Sequence, residues 1–251
     1  MRPISVVAAV CLLSLLALLC AAMPPALAAA TANPNPGVIP LNAKVGGLTY
    51  AEWGDRWWQW VFSIPADDNP LLDLTGEKAA IGQSPGPVFF LVGLWNYEGQ
   101  ASVERQVTVR PDKALFFPML NADFWIADVC LDEEGKCAEG WGGDDLIQMF
   151  YSCLDVVMSG AGDLHATLDG QPLQEPFKYR VNSSHPFTCQ YPEYSIVSDY
   201  VGEGDGVFPI SVADGYWLML SPLKKGEHVL TFGGTSCTGA SLDVTYHITV
   251  K

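Results

Sequence analysis

The chain has 251 residues, with 28 Asp and Glu against 13 Lys and Arg and a formal net charge of −15. That balance repels nucleic acid, anionic membranes and acidic polysaccharides, because binding their phosphates or carboxylates needs clustered Lys and Arg. Residues 181–223 contain neither. Neutral glycans, cations, small molecules and protein partners stay open.

The N-terminus reads as an export signal. Arg2 gives a short positive region, residues 4–22 are almost wholly apolar, and Ala26-Leu27-Ala28 offers a small-x-small cleavage site. We expect residues 1–28 to be removed, placing the mature protein in a secreted or periplasmic compartment without stable membrane association. The competing expectation is an uncleaved anchor, since the run approaches the ~20 apolar residues of a spanning helix. A lipid anchor on Cys20 is disfavoured by Leu19 before it. Losing Arg2 takes the charge from −15 to −16. Export removes cytosolic nucleotide cofactors and permits disulfides. Residues 29–48 form a Pro/Asn-rich leader, and residues 49–251 suit one β-rich domain.

Residues 49–64 predict a helix. Thr49 and Glu52 fit a capping box, and Pro65 ends the pattern. At 3.6 residues per turn, Tyr50, Trp53, Trp57, Trp60, Val61 and Ile64 form one stripe, with Glu52, Arg56, Gln59 and Ser63 opposite. Trp58 and Phe62 lie off the stripe, meeting either a second packing partner or solvent as an aromatic ledge.

Short strand-like runs follow. Residues 88–92 are continuously apolar, as in a strand covered on both faces. Residues 103–109 partly alternate, Arg110-Pro111-Asp112-Lys113 turns the chain, and residues 114–120 are the expected hairpin partner. Residues 164–168 alternate into Asp169-Gly170, a hairpin signal. Residues 216–220, 229–232 and 242–250 complete the set. The expected class is mainly β, a β-sandwich or jelly-roll-like fold with an N-terminal Trp-rich helix. Residues 124–160 read as an acidic, helical, Cys-containing insertion, with Ile147, Phe150, Leu154, Val157 and Met158 in helical phase.

Five cysteines lie beyond the leader: Cys130, Cys137, Cys153, Cys189 and Cys237. The odd number leaves at least one thiol free if the others pair within the chain. Cys130 and Cys137 flank a short acidic loop and are the easiest pair to join, a bridge contributing about 2.5 kcal/mol in the chain-entropy model.

The block Tyr50-Ala51-Glu52-Trp53-Gly54-Asp55-Arg56-Trp57-Trp58-Gln59-Trp60, with Asn69-Pro70-Leu71-Leu72-Asp73 and Gly86-Pro87-Val88-Phe89-Phe90-Leu91, resembles a family of exported bacterial proteins of unknown function. Ala114-Leu115-Phe116-Phe117-Pro118, Asp214-Gly215-Tyr216-Trp217, Gly226-Glu227-His228 and Asp243-Val244-Thr245-Tyr246-His247 extend the likeness over most of the mature chain. The resemblance implies export and one domain. It implies no activity and transfers no site.

Catalytic signatures are sparse. There is no H-E-x-x-H, phosphate-binding loop or dinucleotide fingerprint. Thr238 breaks the nucleophile-elbow pattern around Ser236. His165 and His247 fall on the polar phases of their strands, while His185 and His228 sit in a loop and at a strand start. Two acidic clusters, in residues 121–145 and 199–206, have the oxygen-rich, glycine-spaced character that Ca²⁺ favours but not EF-hand spacing. No other cofactor is indicated. Trp58, Trp95 and Trp125 are candidate stacking platforms for a ligand, with Asp199, Glu203 and Asp205 as polar or calcium contacts. The leading expectation is a non-catalytic binding module for a neutral glycan or small ligand. A hydrolase would need two carboxylates about 5–10 Å apart, drawn from Asp123, Asp128, Glu203 and Asp205. An envelope-assembly protein with a protein partner is the third possibility.

Overall fold

The computed structural model describes residues 34–35, 37–95, 98–125 and 143–251. The expected signal segment, Asp128, Cys130 and Cys137 fall outside them, so the signal cleavage and the Cys130–Cys137 bridge are not part of this description. Residues 35–251 form one compact unit. Among the described residues no helix is long and apolar enough to cross a membrane.

The protein is mainly β, built on two sheets. The first runs β1 (Val88–Phe90), β3 (Ala114–Trp125), β8 (Gly206–Leu220) and β6 (Arg180–Asn182), with β7 (Phe187–Tyr191) also pairing β8. The second runs β2 (Gln100–Val109), β10 (Ser241–Val250), β9 (Gly226–Thr235), β4 (Gly162–Leu168) and β5 (Gln171–Pro172). Their facing sides make the sandwich core. Phe117 meets Phe232 across it with ring centroids 4.5 Å apart, alongside Leu115, Leu218, Val244 and Ile248.

The outer face of the first sheet is covered by helix α1 (Tyr50–Phe62). Its capping box forms as the sequence implies: the Thr49 hydroxyl accepts from the Glu52 amide, and the Glu52 carboxylate accepts from the Thr49 amide. The predicted stripe is buried, and Glu52, Arg56, Gln59 and Ser63 are exposed. Trp217 stacks on Phe116 beneath the helix, with planes 3° apart. Trp58 and Phe62 take the packing alternative: Trp58 is 4% exposed and Phe62 fully buried, so no external ledge exists.

Helix α2 (Gly143–Ser159) packs Leu146, Phe150 and Leu154 on Val212 and Phe124, covering the inner side of β3 and β8 at one end. The expected insertion is helical where described, but β3 continues to Trp125, beyond its expected start at residue 124. Asp214-Gly215-Tyr216-Trp217 has a packing role at each position. Asp214 pairs with Arg180 at 2.6 Å, and Arg180 also reaches Asp155 of α2. A Cβ at Gly215 would lie 2.8 Å from Asn121 Cβ and 2.7 Å from Trp217 Nε1, so only glycine fits. The Tyr216 hydroxyl donates to Met158 O, tying down the end of α2.

One expected pairing is corrected. β2 and β3 are not a hairpin: β2 pairs in parallel with β10, and β3 pairs with β1 and β8 in the opposite sheet. The turn at residues 110–113 is an arch between layers. β3 is buried on both faces along its first seven residues, so it needs a sheet with cover on both sides, whereas β2 alternates and has a solvent face. The Asp169-Gly170 hairpin forms, joining β4 to the two-residue β5.

Candidate functional site

A cavity of about 380 Å³ opens where β1 and β3 separate, and the sequence explains the separation. In the parallel register, Ala114 N–H donates to Pro87 O, and Leu91 N–H donates to Phe116 O. The next donor along β3 would be residue 118, which is proline and has no N–H. The vacated acceptor, Leu91 O, takes the Trp57 indole N–H at 2.9 Å.

Residues 92–95 then leave β3. The buried Arg105 guanidinium draws them towards the second sheet, donating to Val92 O, Gly93 O and Asp73 O and to the Tyr246 hydroxyl. What remains is a wedge. Residues 118–125 of β3 all line it, Trp58, Trp95, Trp125 and Tyr200 form an aromatic side, and Val157, Met158 and Leu242 lie on the other.

The three tryptophans are grouped around one ring. Trp58, Trp95 and Trp125 centroids lie 5.1, 6.1 and 5.5 Å from that of Phe62. The other indoles of α1 are anchored: Trp53, Trp57 and Trp60 donate to Val45 O, Leu91 O and Ile81 O. Trp58 differs. Its Nε1 is buried with no hydrogen-bond partner among the described residues, and so is Asn121 Nδ2 on β3. Buried donors left unpaired cost about 1–3 kcal/mol each, and both belong to residues that line the cavity.

Behind them lies a polar nest under α1. Burial, aided by Glu52, pushes the Asp55 carboxyl up to about 7, and its Oδ1 has no partner among the described residues. Burial also pushes the Cys189 thiol up, reinforced by Asp123 and Asp55 and opposed by the neighbouring Ser211 hydroxyl. A thiol held protonated is no nucleophile.

Trp58, Trp95 and Trp125 therefore converge on one cavity, whereas Asp199, Glu203 and Asp205 do not line it. Asp199 is on the one-turn helix α3 (Ser198–Val201) and Glu203 and Asp205 follow it, all three exposed. Asp123 is the one carboxylate among the described lining residues. Among the described residues no group of three His, Cys, Asp or Glu side chains is placed to hold a metal ion, and Cys153, Cys189 and Cys237 are free thiols. His165 and His247 lie on the solvent face of the second sheet beside Asp243 and Glu104, and His228 sits near the start of β9 beside Asp169.

Sequence reasoning missed Asn121, Asp55, Arg105 and the consequence of Pro118. Two signals existed: an arginine on the inward phase of an alternating strand, and a proline inside an apolar strand.

No family model matches the chain, and no curated protein matches it. Among solved structures, a chain of "Structure of PbICP-C in complex with falcipain-2" aligns at 10% identity and a TM-score of 0.21, covering 66% of this chain and 100% of that one. Similarity at that level carries no argument.

Proposed function

We propose that this is an exported, non-catalytic binding protein whose ligand enters the wedge beside β3. The observation that carries the reading is the convergence of Trp58, Trp95 and Trp125 on one cavity, two of whose lining residues, Trp58 and Asn121, keep buried N–H donors with no partner among the described residues. Apolar walls with a few convergent polar groups are the usual make-up of a ligand site. The donors ask for a carbonyl or hydroxyl oxygen. The lining carboxylate Asp123 and the charge of −15 argue against an anion. The ligand class is thus an oxygen-bearing molecule without net negative charge, of which a neutral glycan unit stacked on an indole is one form.

Binding is favoured over glycoside hydrolysis because no carboxylate pair is assembled among the described lining residues. Calorimetric titration with methyl glycosides and short neutral oligosaccharides, with and without calcium, tests the glycan form. Heat of binding that disappears in Trp58→Ala and Trp95→Ala is expected, without product at any pH. A hydrolysis product with a bell-shaped pH profile would move the assignment to a hydrolase.

A further inference from the structure

We propose that the wedge beside β3 is a strand-addition site, and that its ligand is an extended peptide carrying Lys or Arg, docked as a further strand of the first sheet. This names the ligand class of the site proposed above and rests on that reading. The first observation is the shape of the site. A cavity over a sheet face is lined by alternate residues of a strand, whereas this one is lined by eight in succession, residues 118–125. It therefore runs along the strand's edge.

The second observation is the state of that edge. β1 pairs β3 only through Ala114, Leu115 and Phe116, and past Leu91 the neighbouring chain is held away by Arg105 and Tyr246. For residues 118–122, no backbone partner exists on that side among the described residues. An unpaired edge is a template for another strand, and proteins normally cover or blunt it. Here it lies in a cleft of matching form. Side chains of a bound strand would alternate between the Trp58, Trp95 and Trp125 side and the Val157, Met158 and Leu242 side.

Charge selects the partner. Tyr200 lies at the cleft, and Asp199, Glu203 and Asp205 surround it in sequence, all exposed, with no Lys or Arg in residues 181–223. That field attracts a cationic segment and repels an acidic one.

The test uses the whole protein and ligand-side changes only, so no variant needs to fold. The probe is acetyl-Lys-Val-Thr-Val-Thr-Lys-amide, titrated by calorimetry and by tryptophan fluorescence. Two isomers carry N-methyl groups on alternate residues, one set on each edge of the peptide strand. The proposal predicts that one isomer binds about as the parent does, while the other is weaker by about a hundredfold. Replacing both lysines with glutamates weakens binding by about tenfold, and added salt shrinks that difference. Equal affinity for the two N-methyl isomers overturns strand addition. Binding of methyl glycosides but not of the peptide overturns it while leaving the cavity as a ligand site. Binding of neither overturns both.

Discussion

The two faces of the first sheet are built on opposite principles, although they share the same strands. The inner face is closed by aliphatic and aromatic side chains from both sheets, and its polar groups are matched: Arg105 is buried yet finds four acceptors, and Asp214 finds Arg180. The outer face, beneath α1, begins the same way with Trp217 on Phe116 and then changes character. Asn121, Asp123 and Ser211 replace apolar residues, and Asp55 of the helix reaches in beside them. One face specifies the fold. The other leaves Asn121 Nδ2 and Asp55 Oδ1 without partners among the described residues, and Asn121 lines the cavity.

Substitutions on the two faces should separate accordingly. The largest loss is expected from Trp217→Ala, which removes a side chain 1% exposed and the stack with Phe116. Chemical denaturation should show about 3–5 kcal/mol of destabilisation. Arg105→Met should cost about 2–4 kcal/mol, because it removes the guanidinium donor from the carbonyls of Asp73 and Gly93 and leaves Val92 O with the Tyr246 hydroxyl alone. It should also change the emission of Trp95, whose strand it positions. Trp58→Phe breaks no hydrogen bond among the described residues. It should cost about 1 kcal/mol or less in stability while weakening ligand binding, which makes it the sharpest probe of the division.

Asp55 gives a prediction of opposite sign. Its native carboxyl titrates at about 7, against an ordinary value of 3.8. The unfolded chain therefore loses this proton first, and the native state is penalised progressively as pH rises from about 4 through 7. Asp55→Asn should leave stability unchanged near pH 3 and raise it by about 2–3 kcal/mol at pH 8, measured as paired denaturation midpoints. A variant destabilised at pH 8 would mean that the charged carboxylate is needed. The smallest effect belongs to His228, raised chiefly by its hydrogen bond to Asp169. Its contribution is present below its unfolded value near 6.5 and is lost as pH rises through the higher native one. His228→Gln should remove a few tenths of a kcal/mol of pH dependence in that window.

Local signals made much of the scaffold legible. Thr49 and Glu52 set the start of α1, the stripe set its buried face, and the alternation in residues 242–250 set the orientation of β10. Pairing was less legible. The turn residues 110–113 announce a reversal of the chain but not whether it stays in one sheet, and only the two-sided burial of β3 decides for an arch. At the site, Trp58, Trp95 and Trp125 stood out because they belonged to no core stripe. Asn121 did not, since it joins the site through the pairing of β3 with β8, a contact between segments far apart in sequence. The acidic loop at residues 199–205 drew attention by composition, yet exposed carboxylates on a loop are solvated by default.

The central claim is that Trp58, which lines the cavity, keeps an unspent donor while its helical neighbours are spent on the fold. Hydrogen exchange of the indole N–H groups in ¹⁵N-labelled protein measures this directly. Trp53, Trp57 and Trp60, bonded to Val45 O, Leu91 O and Ile81 O, should exchange slowly. Trp58 should exchange at least about tenfold faster and be the one whose resonance moves when a ligand binds. A Trp58 indole protected as strongly as the other three and unmoved by a bound ligand would contradict the account.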